Sequence, residues 1–292
     1  MQIEVKTITP NSPQIPEISN SRYHFMTPSS KKRLDSHKLN LTMNLINNTI
    51  QSFTKVTLAD LEQVKLMNRI DHKFCLHRNQ LPSILESLKS EYFVLEIQGK
   101  TIFLYDNTYF DTRDDRMYLS HHNGSGKRYK IRVRQYVQSK DNFLEVKFKN
   151  NKGWTKKERI GRQEFDQEFR ENENEFLQMT SPFKGLQLVP KIKNRFNRIT
   201  LVNNEFTERV TIDLCLGFEN QVNKITLENL VIIEIKQSRS KGISLINDVL
   251  KANKIEDQGF SKYCIGRSLL DETLKRNNFK PMLIKLKKEY SN

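Results

Sequence analysis

The sequence predicts an α+β chain, rich in antiparallel strands, whose sheet closes into a β-barrel with surrounding helices. Two patterns predict it. Several short segments alternate between aliphatic and charged residues, the period-two mark of strands with unlike faces. These segments lie far apart in the chain, yet each sets Arg, Lys or Glu opposite a strongly aliphatic face. A single strand of this kind reads as the solvated side of an open sheet. A set of them reads as a closed sheet, aliphatic outside under helices and charged around a lumen. A lumen lined by like charge repels itself unless a polyanion or a metal fills it.

In chain order, residues 1–50 are rich in Ser, Asn, Thr and Pro, with a basic spot at Lys31–Lys32–Arg33, and are expected to be a mostly disordered tail. Residues 51–292 are expected to form one domain. Thr57–Val64 reads as a short helix and Leu66–Leu76 as a strand in which Arg69, Asp71 and Lys73 share a face. Arg78–Leu88 reads as a helix, because Leu81, Ile84, Leu85 and Leu88 recur at helical spacing and Pro82 sits where proline is tolerated.

Strands follow. Thr101–Asp111 is aromatic-rich. Lys127–Gln135 sets Tyr129, Ile131 and Val133 against Arg128, Lys130, Arg132 and Arg134. Phe143–Lys149 sets Leu144, Val146 and Phe148 against Glu145, Lys147 and Lys149. Glu164–Met179 is expected to be an acidic surface helix. Phe196–Thr200, Arg209–Leu214 and Leu230–Lys236 are further strands; in the last, Glu234 and Lys236 oppose Val231, Ile233 and Ile235. Ile243–Leu250 and Pro281–Glu289 read as helices.

Charge narrows the function. Lys and Arg number 49 against 34 Asp and Glu, a net charge of +15, so the expected partner is an anion. Three distant cysteines give neither a disulfide framework nor a metal knuckle, and a reducing, cytoplasmic setting is expected, if need be at the inner membrane face. No apolar run approaches the roughly 20 residues of a membrane span, and no secretory signal is expected. Gly124–Lys127 (GSGK) fails as a phosphate loop, because its leading glycine would fall at His121 and Arg128 stands where a hydroxyl should bind magnesium. His121–His122 is expected to bond locally rather than to hold a metal.

The basic constellation remains. Gly124 to Arg162 holds thirteen Lys or Arg and only three acids, Asp141, Glu145 and Glu158. Several cations on one strand face can grip successive phosphates. Glu145 and Glu234 each precede a lysine by two on the same face. Such a carboxylate either holds a divalent metal that bridges phosphate oxygens or forms an intra-sheet ion pair.

These residues resemble a known family. RIDHKF (Arg69–Phe74), LYDNTYFDT (Leu104–Thr112), YLSHHNG (Tyr118–Gly124), KRYKIRVRQY (Lys127–Tyr136), FLEVKFK (Phe143–Lys149), NRFNRIT (Asn194–Thr200), RVTIDLCLGF (Arg209–Phe218), VIIEIK (Val231–Lys236) and GFSKYCIGR (Gly259–Arg267) come in the order of the VTC domain. That is the polyphosphate polymerase domain of vacuolar transporter chaperone proteins and their bacterial relatives, within the triphosphate tunnel metalloenzymes and CYTH-like proteins. The resemblance covers about residues 66 to 270. It implies a closed tunnel holding triphosphate or polyphosphate, with Mn2+ or Mg2+. RIDHK, standing where hydrolytic relatives carry ExExK, points away from a hydrolase.

By that resemblance Arg132, Arg134, Arg198 and Lys73 are the catalytic cations, and Glu234 is the metal-binding glutamate. Lys130, Lys147, Ser261, Lys262 and either Lys156 or Lys157 are phosphate contacts. The implied activity is transfer of the terminal phosphate of ATP to polyphosphate or orthophosphate, with no specific nucleic acid and with a membrane-protein partner open to it. A triphosphatase or polyphosphatase of the same fold, or a non-enzymatic polyphosphate- or nucleic-acid-binding module, are the alternatives.

Overall fold

The computed structural model describes residues 28–62, 69–238 and 244–290. The chain divides after Lys38, and everything that concerns the site lies in the second unit, Leu39–Asn292.

Helix α1 (Pro28–Gln51) is followed by β1 (Lys55–Val56) and α2 (Leu58–Glu62), then by β2 (Arg69–His77) and α3 (Leu81–Leu88). Next come β3 (Tyr92–Leu95), β4 (Phe103–Thr112) and α4 (Arg116–His122). Strands β5 (Arg128–Tyr136), β6 (Asp141–Lys149) and β7 (Thr155–Arg162) form a meander, followed by α5 (Glu171–Thr180). The long strands β8 (Leu188–Asn203) and β9 (Glu208–Glu219) precede β10 (Lys224–Leu227) and β11 (Leu230–Ser238). Helices α6 (Leu245–Ala252), α7 (Lys262–Leu270) and α8 (Lys280–Glu289) complete it. The main path of the sheet runs β2-β11-β9-β8-β4-β5-β6-β7, antiparallel throughout.

The aliphatic halves of the alternating strands are buried as expected. Val210, Ile212 and Leu214 of β9 and Val231, Ile233 and Ile235 of β11 pack with Leu81, Ile84, Leu85 and Leu88 of α3 and with Ile246 and Leu250 of α6. On the other half of the sheet, Ile131, Val133, Leu144 and Val146 pack with Leu177 of α5 and with Phe183. Burying a Leu, Ile or Val contributes about 1.5–3 kcal/mol, so these two clusters fix which face the charges must take.

The expected closure is corrected. Among the described residues β2 and β7 are the two ends of the main path of the sheet and do not pair. The free edge of β2 is satisfied instead by a later segment. Lys73 N donates to Asp257 Oδ1 at 3.0 Å, and Gln258 N donates to Lys73 O at 2.7 Å. At Lys73 the edge of β2 is thus paired with this segment rather than with β7.

The sheet nevertheless curls. Laid flat, five strand spacings would hold β11 and β6 about 24 Å apart, yet the Glu234 carboxylate of β11 acts on the Lys147 amine of β6. Neighbouring residues Ser261 and Lys262 also reach β5 and β9 at once, through Lys130 and Asp213. A bulge at which Cys215 and Leu216 together oppose Phe196, with Cys215 at φ 53°, sharpens the bend.

Helix α7 covers one end of the concave face. A methyl at Gly266 would fall 2.4 Å from the Phe218 ring and 2.7 Å from Ile192, so only glycine lets α7 approach β8 and β9 this closely.

Other boundaries moved. The tail expected over residues 1–50 does not run to 50: α1 occupies Pro28–Gln51, and Ile46 and Ile50, one helical turn apart, enter the core. Residues 1–27 lie outside the described residues. The acidic helix starts at Glu171, not Glu164, because Glu173 Oε2 accepts from Arg170 N and caps it there. The His121–His122 pair closes α4, where His122 Nε2 accepts from Asn278 N at 3.2 Å.

Candidate functional site

Three carboxylates organise the concave face. Glu145 of β6 sits at the centre of one wall. Its Oε2 accepts from Arg132 Nε at 2.7 Å, and its Oε1 lies 2.6 Å from Lys157 Nζ. Arg134 Nε is 3.9 Å away and donates to Asn107 Oδ1 at 2.8 Å. Burial alone would push the Glu145 carboxyl up, but Arg132, Arg134 and Lys157 outweigh it and hold it well below the usual carboxylate range.

Asp213 of β9 organises the middle. Arg198 of β8 grips it with two prongs, Nε to Oδ1 at 2.6 Å and Nη2 to Oδ2 at 2.8 Å, and Lys262 pairs with Oδ2. Burial raises this carboxyl, and Arg198 and Lys262 overcome it, bringing it down to about 2.

Glu234 of β11 organises the opposite wall. Lys73 Nζ lies 2.9 Å from Oε1, directly across the β2–β11 ladder, and Lys236 Nζ lies 2.8 Å from Oε2. Its carboxyl is also held well below its usual range, Lys236 and Lys73 outweighing burial.

Aromatic rings set the arginines. Arg132 Nη1 donates to Tyr109 OH at 3.0 Å, with its guanidinium over the same ring. Arg134 and Arg198 both stand over Tyr105, 5.1 and 5.0 Å from its centroid. Rigid rings beneath planar cations reduce the freedom lost when an anion binds.

One row is only partly neutralised. Lys130, Lys147 and Lys157 face one another in register across β5, β6 and β7. Like charges directly opposite repel. Lys157 leans to Glu145, and Lys130 Nζ donates to Ser261 Oγ at 2.9 Å. Lys147 makes no ion pair among the described residues. Its area is open to water although protein walls surround it, as expected on a concave face. Burial, then Lys130, brings its amine down to about 8. Lys157 also falls to about 8, burial opposing the pull of Glu145. The same field reaches His121: burial, then Lys130, Arg128 and Lys149, drive its imidazole down to about 3.

All the residues expected from sequence except one therefore meet on this face. Lys156 does not: it pairs with Glu158 at 2.9 Å on the opposite side of β7. The register Lys147↔Lys157 decides between the two neighbours. Ser261 contributes twice, as a contact of Lys130 and as the cap of α7, accepting from Cys264 N at 3.3 Å.

Sequence reasoning passed over Asp213, Lys236, Asn107, Tyr105 and Tyr109. Alternation in RVTIDL sets Arg209, Thr211 and Asp213 opposite Val210, Ile212 and Leu214, as LVIIEIK does for Lys236, and the aromatic period of LYDNTY carries a signal for the two tyrosines.

For a divalent metal the donor set is thin. Among the described residues no three His, Cys, Asp or Glu side chains converge. Glu145 and Asp213 are engaged by arginine forks, leaving Glu234, whose partners are lysines on long flexible stems. A single carboxylate suits Mg2+ or Mn2+ where phosphate oxygens and water complete the shell, so Glu234 fits a metal that arrives with its phosphates.

Among known proteins, residues 68–271 match the VTC domain family. No curated protein matches the chain. Solved structures with partial likeness include HpAC1 from Hippeastrum, described with a dominant triphosphatase activity, at 16% identity over 70% of this chain and 97% of that one, TM-score 0.43. A Bacillus halodurans protein assigned as a candidate adenylate cyclase is 14% identical over 66% of this chain and 94% of that one, TM-score 0.42. A Vibrio parahaemolyticus protein with the same assignment is 10% identical over 66% and 94%, TM-score 0.40.

Proposed function

The chain belongs to the VTC domain family, and from that premise we propose that it is a polyphosphate polymerase, moving the terminal phosphoryl group of ATP onto a polyphosphate or orthophosphate acceptor. The observation that carries the reading is the in-register row Lys130–Lys147–Lys157, with Lys147 in no ion pair among the described residues and with Lys73 and Glu234 facing it across the concavity. A chain of phosphates is a ligand whose charge repeats as this wall does.

Phosphoryl transfer asks the protein for in-line positioning and for stabilisation of charge on the moving group. Arg132 and Arg198 offer planar forks already anchored by Glu145 and Asp213. Arg134 lies behind them, fixed by Asn107. Lys73 and Lys236 can turn from Glu234 to phosphate oxygens, as flexible point charges do. Lys130, Lys147, Lys157 and Lys262 hold the remaining phosphates. Glu234 would hold Mg2+ or Mn2+, which would supply positive charge to offset that of the phosphates. The acceptor oxygen is anionic at neutral pH, so the site needs no strong general base.

Phosphorus NMR of the protein with ATP and Mn2+, with and without a short polyphosphate primer, tests this. Growing mid-chain phosphate signals with ADP are the expected result. Orthophosphate alone identifies a triphosphatase or polyphosphatase, and an unchanged spectrum a binding module; either defeats the polymerase.

A further inference from the structure

We propose that the end of the sheet bearing the β6–β7 turn docks on an anionic lipid bilayer, with Trp154 and Leu186 entering the headgroup boundary. The turn is built to hold its indole outward. Asn150 Oδ1 accepts from Lys152 N at 3.0 Å and from Trp154 N at 2.9 Å, Asn150 N donates to Trp154 O at 2.9 Å, and Gly153 takes φ 79°. On this braced tip Trp154, the chain's one tryptophan, is 59% exposed.

Further apolar groups are exposed towards the start of β8, at the same end of the sheet. The Tyr129 ring lies 4.6 Å from Phe148, just before the turn, and 5.8 Å from Phe183. That joins the turn to the segment between α5 and β8, where Leu186 is 99% exposed and Met179, on the last turn of α5, 79%. Large apolar groups held fully in water lose the stabilisation burial would give them.

The charge around them is mostly basic, with Glu158 tied to Lys156 and Glu175 one helical turn before Met179. No Asp or Glu occurs in 124–135, 146–157 or 181–191. Arg128 and Lys149 stand opposite each other at the start of the β5–β6 ladder, and Lys127, Lys152 and Lys184 are exposed nearby in the chain. Lysines near an anionic leaflet attract it, and an indole prefers the interface. Single-stranded nucleic acid fits less well: it is held by stacking in an aromatic groove, and Leu186 and Met179 have no ring face to offer a base.

The single tryptophan makes the test direct. The full chain is mixed with vesicles of phosphatidylcholine containing phosphatidylglycerol, or of phosphatidylcholine alone, and Trp154 emission is followed. The expected result is a blue shift on the anionic vesicles only, quenched by brominated acyl chains and reversed by high salt. Lys152→Glu should weaken partitioning at least about fivefold. Leu186→Asp should remove the shift without changing the melting temperature, and Trp154→Phe should still sediment with anionic vesicles, only more weakly. Unshifted emission on anionic vesicles overturns the proposal. So does a shift given by polyphosphate or an oligonucleotide but not by vesicles.

Discussion

Glu145 and Glu234 occupy matching places on the two walls of the concavity, each a carboxylate between cations, and they differ in one respect. The Glu145 side chain is 2% exposed and clasped by a guanidinium fork; the Glu234 side chain is 19% exposed and, among the described residues, ion-paired only with lysines. A buried carboxylate in an arginine fork cannot exchange partners without stranding a charge. A carboxylate reached by water and held by two flexible ammonium groups can. The same motif therefore serves as a brace on one wall and as an exchangeable site on the other.

The largest expected effect tests the brace. Glu145→Gln leaves Arg132, Arg134 and Lys157 crowded with no anion among them. Thermal or denaturant unfolding should show a loss of about 3 kcal/mol, the low end for a broken buried pair because Lys157 reaches water. A change under about 1 kcal/mol would mean that Glu145 is no brace.

Next is Arg198, whose fork on Asp213 aims it at the concavity. Arg198→Ala should lower turnover about 10²- to 10³-fold, the cost of removing a preorganised charge-stabilising donor, and Arg198→Lys should recover little of it. Turnover within about twofold, under roughly 0.5 kcal/mol, would remove Arg198 from the site.

Glu234→Gln sharpens the contrast from the other side. Stability should change by no more than about 1 kcal/mol. Polyphosphate affinity measured with a chelator present should rise, because Lys73 and Lys236 are released, while metal-dependent turnover collapses. If the melting temperature falls as far as for Glu145→Gln, the two walls are not different in kind.

Part of this was legible in the sequence, for physical reasons. KRYKIRVRQ and FLEVKFK show their faces because burial of one side forces strict alternation, and the structure keeps those faces. The partners of Asp213 were hidden because Arg198 and Lys262 arrive from 15 and 49 residues away. TKKERIGR sets two lysines side by side, so only pairing with β6 could assign Lys157 to the site. Closure failed for a non-local reason, the Asp257–Gln258 segment on the edge of β2. In α1, a polar composition masked the Ile46–Ile50 pair that anchors it.

The smallest effect probes the wall that Glu145 braces. With Lys147 and Lys157 both near 8, the free protein sheds most of two positive charges as the pH rises from 7 to 9. A polyanion prefers the protonated amines, so binding lifts both values and takes up protons. The sign follows: affinity is fullest below pH 8 and falls above it, by up to about tenfold per lysine for each further unit. Calorimetry of polyphosphate binding in two buffers of different ionisation heat should show proton uptake greatest between pH 8 and 9. Lys157→Ala should reduce that uptake, and Lys156→Ala, on the other side of the strand, should leave it unchanged. Uptake that is flat across this range would mean that the amines are not held near 8, and the charged row would then be an ordinary solvated face.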